Sequence, residues 1–277
     1  MRFTLTSLVL AAVAALGALG FMEMEVITMT GSDTMLPMAQ RWAETYQAGH
    51  PNVAVAVSGG GTSAGISALL NGTTDICTAS RPLLPEERDQ LKGRFGSPGV
   101  EIQAARDGVT IIVHPSNPVR ELSMEQLRDI LAGRIVNWKQ VGGRDARIAL
   151  YGRENSSGTY TFLRQHVLNN GEFAPATVLL PVTSALVGLV ERDSNGIGYA
   201  GFGYVHAVKP LAIRKDALSP AVFASRQTVD SGEYPLSRYL YLYLRNRPAG
   251  ELKAYVEWIQ SAEGQAAIRS SGYFPID

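Results

Sequence analysis

The feature that most restricts what this chain can become is a recurring unit: an apolar strand, a corner of glycines and hydroxyls, then a helix. Val53-Ala54-Val55-Ala56-Val57 is a continuous apolar run, the pattern of a strand covered on both faces. Ser58-Gly59-Gly60-Gly61-Thr62-Ser63 follows as the corner, and Ile66, Leu69 and Leu70 mark a short helix that stops at Asn71-Gly72. The same order governs Glu25-Val26-Ile27-Thr28-Met29 and the corner Gly31-Ser32-Asp33-Thr34. The helix that follows has Pro37 in its first turn and Met35, Met38, Trp42 and Tyr46 at helical spacing. It returns at Ile148-Ala149-Leu150-Tyr151, whose corner runs through Arg153 to Gly158 before a helix opening at Thr159.

Other segments extend the alternation. Asp75-Ile76-Cys77-Thr78-Ala79 reads as a strand reaching Ser80-Arg81-Pro82, with a helix from Pro85. Val109-Thr110-Ile111-Ile112-Val113 is another strand, and Ser123-Met124-Glu125-Gln126 matches a capping box ahead of a helix ending at Gly133. Gly196-Ile197-Gly198-Tyr199 predicts a closely packed strand or turn, and Leu240-Tyr241-Leu242-Tyr243-Leu244 a late strand. Leu252, Tyr255, Val256 and Ile259 fall on one face of a last helix. Strands alternating with helices specify an α/β fold with largely parallel sheets. The chain has 277 residues, enough for one large or two medium domains at about 100–200 residues each. No proline-rich linker separates two halves, so two lobes require strands that cross between them.

The corners carry the chemistry. Ligands of open α/β sheets sit beyond the carboxyl ends of the strands. The first N–H groups of a helix lack partners within it and carry partial positive charge, so a helix start attracts anions. Helix capping explains serine, threonine and glycine at such places, but capping requires no arginine. Arg153 adds a charged fork, the donor geometry suited to an oxyanion. Lysine and arginine number 25 against 25 aspartates and glutamates, so no general field draws nucleic acid, and any anion site is local.

Other signals lead elsewhere. Met1-Arg2 ahead of a short apolar run from Phe3 to Leu16 has the form of an export signal, with Ala18-Leu19-Gly20 as a cleavage site and an uncleaved anchor as the alternative. Cys77 is the only cysteine, so it forms no internal disulfide and reads as a small apolar residue. His50, His114, His166 and His206 lack metal-ligand spacing, and no metal or cofactor is expected. Gly61-Thr62-Ser63-Ala64-Gly65 matches the G-x-S-x-G nucleophile elbow, and a serine hydrolase would pair Ser63 with His206. That reading leaves Arg153 without a purpose, so no catalysis is expected.

Taken together, Met29-Thr30-Gly31-Ser32-Asp33-Thr34-Met35, Gly61-Thr62-Ser63-Ala64-Gly65 and Arg153-Glu154-Asn155-Ser156-Ser157-Gly158-Thr159 resemble the phosphate-binding proteins of phosphate ABC transporters. Leu122 to Leu127, Ile135-Val136-Asn137-Trp138 and Gly196-Ile197-Gly198-Tyr199 are similar to that family's second-lobe pattern. The resemblance implies a two-lobed, type II periplasmic-binding-protein-like fold. Each lobe would be a central, mostly parallel sheet flanked by helices, and two hinge crossings would let the lobes close on phosphate. It implies ligand groups at Thr34 (hydroxyl), Met35 (backbone N–H), Thr62 and Ser63, Ser80, the Arg153 fork, and Ser157, Gly158 and Thr159 at the third helix start. Selective relatives often carry an aspartate where this chain has Ala79-Ser80-Arg81, and that carboxylate accepts the proton of hydrogen phosphate. Asp33 is the carboxylate here that would take that part. Expected partners are inorganic phosphate or a related oxyanion and a membrane ABC permease, with a membrane sensor or a sequestering surface role as the alternative. The protein is expected outside the cytoplasm as a monomer. Residues 1–24 are expected to form the leader, 25–108 with 237–277 one lobe, and 109–236 the other, with crossings near 109–113 and 239–244.

Overall fold

The computed structural model describes residues 24–276, so nearly all of the expected leader lies outside it. In chain order the first elements are β1 (Glu25–Gly31), α1 (Leu36–Gly49), β2 (Val53–Ser58), α2 (Thr62–Asn71), β3 (Ile76–Ala79), α3 (Pro85–Phe95) and β4 (Val100–Gly108). Then come β5 (Thr110–Val113), β6 (Glu121–Ser123), α4 (Met124–Leu131), β7 (Ala149–Arg153), α5 (Gly158–His166), β8 (Val178–Leu180), α6 (Thr183–Arg192) and β9 (Gly196–Ala200). β10 (Lys209–Pro210), β11 (Ala212–Arg214), β12 (Ala221–Val222), α7 (Arg226–Asp230), β13 (Ser237–Leu244), α8 (Gly250–Gln260) and α9 (Ala262–Ala267) complete the chain.

Two five-stranded sheets organise two lobes, in the orders β2-β1-β3-β13-β4 and β10-β5-β9-β7-β8, beside a small sheet β12-β11-β6. The two-lobed α/β architecture is the expected one, but the ladders are more mixed than largely parallel sheets would be. β1 runs parallel to β2 and β3, whereas β13 is antiparallel to both β3 and β4. In the second sheet β7 is parallel to β8 and β9, whereas β5 is antiparallel to β9 and β10. One reversed strand in each five-stranded sheet accounts for every antiparallel ladder of those two sheets. These two strands are the ones by which the chain enters a lobe: β5 directly after β4, and β13 after Leu236. A strand entering from the neighbouring lobe starts at the cleft and runs away from it. The strands of the βα units run toward the cleft and end there. Residues 239–244 thus lie inside β13, and the return passage occurs at its start.

The apolar patterns explain which faces are covered. Leu240, Leu242 and Leu244 join Ile27, Met29, Met38, Trp42 and Tyr255 on one face of the first sheet. Tyr241 and Tyr243 join Ile66, Leu69, Cys77 and Leu91 on the other. That is the two-residue period of a strand buried on both sides. Val109, Ile111 and Val113 pack with Leu127, Trp138, Phe162 and Ile197 in the second lobe, while Ile112 faces Leu186 and Val190. The predicted capping box forms: Ser123 Oγ accepts from the Gln126 N–H at 3.0 Å, and Gln126 Oε1 accepts from the Ser123 N–H at 2.9 Å. Among the described residues no helix is long and apolar enough to cross a membrane, and no group of three or more acidic, cysteine or histidine side chains is placed to hold a metal.

Candidate functional site

The carboxyl ends of β1, β2, β3 and β7 meet where the lobes face each other, and the three corners converge there. Arg153, the last residue of β7, is 2% exposed. Its Nη2 donates to Asp33 Oδ2 at 2.7 Å, across the cleft from the other lobe, and to the Pro181 carbonyl at 2.7 Å. Nε donates to the Leu180 carbonyl at 3.2 Å, and Nη1 donates to the Thr183 hydroxyl. Four of the five guanidinium hydrogens are thereby committed to protein acceptors, so the fork is not free as a unit. This qualifies the expectation that Arg153 offers its whole fork. One Nη1 hydrogen remains, and the partners that hold the rest fix where it points.

The hydroxyls are equally close. Thr34 Oγ1 and Thr159 Oγ1 lie 3.0 Å apart, from different lobes. Thr62 Oγ1 is 3.3 Å from Ser80 Oγ and accepts the Ser80 backbone N–H at 3.1 Å. Gly158 approaches this pair from the opposite lobe. A Cβ there would lie 2.5 Å from both Ser80 Oγ and Thr62 Oγ1, so the absent side chain is a condition of closure. Gly61 has φ +92°, in the region that favours glycine, and a Cβ on it would sit 2.6 Å from the Ser156 carbonyl oxygen. The Ser63 N–H donates to that same carbonyl at 3.0 Å, another contact between lobes. Ser157 caps α5, its Oγ accepting from the Thr159 and Tyr160 N–H groups at 3.2 and 3.4 Å.

Thus Asp33, Thr34, Thr62, Ser80, Arg153, Ser157, Gly158 and Thr159 share one buried region. Two predicted residues are placed less directly. The Met35 N–H donates to the Ser32 carbonyl at 2.9 Å, completing a short 3-10 turn, and its side chain is fully buried in the core. Ser63 is half-buried, and its hydroxyl accepts from Arg81 Nη2 at 3.4 Å. Arg81, just past the end of β3, is buried and holds Glu87 through two contacts of 2.7 and 2.8 Å. The nucleophile-elbow reading finds no geometry to support it. His206 is exposed, in a groove with Pro37, Arg41 and Glu44, and no hydrogen bond joins it to Ser63 among the described residues.

Several groups escaped sequence reasoning. The Tyr199 hydroxyl accepts the Arg153 N–H at 2.8 Å. Burial pushes the Tyr199 phenol up, outweighing the opposing pull of the Arg153 N–H and charge, so it stays neutral and able to donate. Tyr204 donates its hydroxyl to the Asp33 carbonyl at 2.7 Å. Thr183, the start of α6, would have been findable only as another hydroxyl after a strand.

The arrangement can surround a small anion with hydroxyls, helix starts and one guanidinium, balanced by one carboxylate. Comparisons with known proteins agree with that chemistry. The family model described as the PBP superfamily domain matches residues 18–263. The phosphate-binding protein PstS of Pseudomonas aeruginosa is 32% identical over 267 residues, covering 90% of this chain and 83% of the relative. PstS of Bacillus subtilis is 29% identical over 252 residues, covering 90% and 80%. A Clostridium perfringens structure described as a phosphate ABC transporter substrate-binding protein with bound phosphate superposes with a TM-score of 0.83 at 28% identity, covering 91% of this chain and all of that one. A phosphate transport receptor from Vibrio cholerae gives 0.72 at 30% identity, covering 90% of this chain and all of its own. With the fold, the converging corners and these likenesses in agreement, the chain belongs to the PBP superfamily and, within it, to the family of PstS phosphate-binding proteins.

Proposed function

We propose that this protein captures inorganic phosphate between its lobes and delivers it to a membrane ABC permease. The observation that carries the reading is the buried Arg153, held where three hydroxyl-bearing corners from two lobes converge. In this reading Thr34, Thr62, Ser63, Ser80, Ser157 and Thr159 supply hydroxyls, and the starts of α2 and α5, Gly158 included, supply N–H groups. The Met35 N–H turns from Ser32 toward the anion, and Arg153 supplies charge. Asp33 keeps Arg153 oriented through Oδ2. Its other oxygen is only weakly engaged, 3.4 Å from the Gly60 N–H, and accepts the proton of hydrogen phosphate. Sulfate offers no such proton at neutral pH. Charge-assisted hydrogen bonds contribute about 1.5–3 kcal/mol each. A micromolar dissociation constant requires about 8 kcal/mol net, which several such bonds supply after the anion is dehydrated.

Because the donors come from both lobes, only the closed form engages all of them, and binding shifts the protein toward closure. The lobes divide at residues 25–108 with 237–277 and 109–236, and bending occurs at Val109 and at the start of β13. A leader at 1–24 would carry the protein out of the cytoplasm, where a membrane permease meets the closed form. Binding without turnover completes the reading. Isothermal titration of stripped protein with phosphate, sulfate, molybdate and a phosphate monoester tests it, alongside small-angle scattering. Phosphate should bind most tightly and compact the particle. Absence of phosphate binding by fully stripped protein would end the proposal.

A further inference from the structure

Directly behind the site lies a second buried ion pair. Asp107, near the end of β4, faces Arg238, near the start of β13, in the antiparallel ladder. Their side chains are 0% and 4% exposed. Arg238 Nε and Nη2 both donate to Asp107 Oδ2, at 3.0 and 2.8 Å, while Nη1 donates to the Ser80 carbonyl at 3.1 Å. Asp107 Oδ1 accepts the Phe202 N–H at 2.9 Å, from the turn that follows β9 in the other lobe. The Arg238 guanidinium also stands 5.4 Å from the ring centre of Phe162, one turn into α5 beyond Gly158. A Cβ on Gly201 would lie 2.6 Å from Thr34 Cγ2 and 3.2 Å from Asp107 Oδ2, so the turn, the first corner and the ion pair are in direct contact.

Stability alone does not account for this pair. Removing two charges from water offsets most of their attraction, and a well-packed apolar pair serves a core as well or better. An apolar pair would leave the Ser80 carbonyl and the Phe202 N–H without these partners. Those groups belong to different lobes, and the pair joins β4, the strand by which the chain leaves the first lobe, to β13, the strand by which it returns. We propose that Asp107 and Arg238 are positioning residues that couple lobe closure to the anion site. Arg238 fixes Ser80 from behind, and Asp107 docks the Phe202 turn when the lobes are shut. Opening separates Phe202 from Asp107 and Phe162 from Arg238, so the pair favours the closed form and slows release of the anion. The inference rests on the reading of the cleft as a phosphate site.

The test uses the whole protein and inorganic phosphate, with Asp107→Asn and Arg238→Lys as separate variants. Asparagine still accepts the Phe202 N–H but gives Arg238 no charge. Lysine keeps the charge but cannot span Asp107 and Ser80 together. Stopped-flow kinetics should show phosphate release about tenfold faster in either variant, with association changed less than about twofold. Ser80→Ala should also weaken binding less in the Arg238→Lys background than in wild type. Release within twofold of wild type in both variants overturns the proposal, whatever their melting temperatures. If Asp107→Asn does not fold, Arg238→Lys alone decides it by the same limit. Failure of wild type to bind phosphate would instead sink the site reading, before any variant is compared.

Discussion

Replacing Arg153 with methionine, which keeps the aliphatic bulk and removes the guanidinium, probes the site at its centre. Two losses add. The anion loses a charged hydrogen-bond partner, about 1.5–3 kcal/mol. Asp33, 4% exposed and 2.7 Å from Arg153 Nη2, is left as a buried carboxylate without its cation. Breaking a buried pair by removing one partner costs about 3–5 kcal/mol, and here that cost falls on the closed state. Opening relieves part of it by wetting Asp33, so only a fraction appears in the affinity. Taking the lower bound of the first loss and about a third of the second gives about 2.5 kcal/mol, close to a hundredfold rise in Kd. The double variant Arg153→Met with Asp33→Asn removes the stranded charge, and should bind phosphate about tenfold more tightly than the single variant while remaining weaker than wild type. Isothermal titration on stripped protein reads all three. A single variant with wild-type affinity, or a double variant no better than the single, refutes the reasoning.

Gly158→Ala places a Cβ 2.5 Å from Ser80 Oγ and Thr62 Oγ1. Alanine suits a helix start, so thermal stability without phosphate should hold, while scattering should show no compaction on adding the anion. Ser157→Ala removes the cap that accepts the Thr159 and Tyr160 N–H groups, and should cost about 1 kcal/mol in chemical denaturation. Burial first, then the hydrogen bond and charge of Asp193, push the Tyr151 phenol up to about 12. Burial raises those of Tyr204 and Tyr234 as well. A phenol raised in the folded state above its unfolded value of about 10 contributes stability that is whole below pH 10 and is lost as pH rises from about 10 to 12. Melting temperature should therefore fall across that window, and less steeply in Tyr151→Phe. A flat profile to pH 12 would contradict the burial of these hydroxyls.

What the sequence by itself determined follows from local physics. Apolar runs and their spacing specified strands and helices, because the faces that must be covered repeat with the period of each element. Ser123, Gly72 and the glycines before α2 marked boundaries through capping and positive φ, which depend on only a few neighbouring residues. Glycine and hydroxyl corners with Arg153 pointed to an anion site for the same reason. The tertiary structure alone decided which corners face one another. Thr34 and Thr159 are 125 positions apart, and Arg153 and Asp33 120, yet each pair is in hydrogen-bond contact. No local rule reaches across such an interval. The pairing of Asp107 with Arg238 and the reversal of β5 and β13 arise because the chain leaves the first lobe and later returns to it. Contacts across the cleft, such as Thr34 with Thr159 and Arg153 with Asp33, are set by the meeting of two separately folded sheets, and strand or helix propensity carries no record of that meeting.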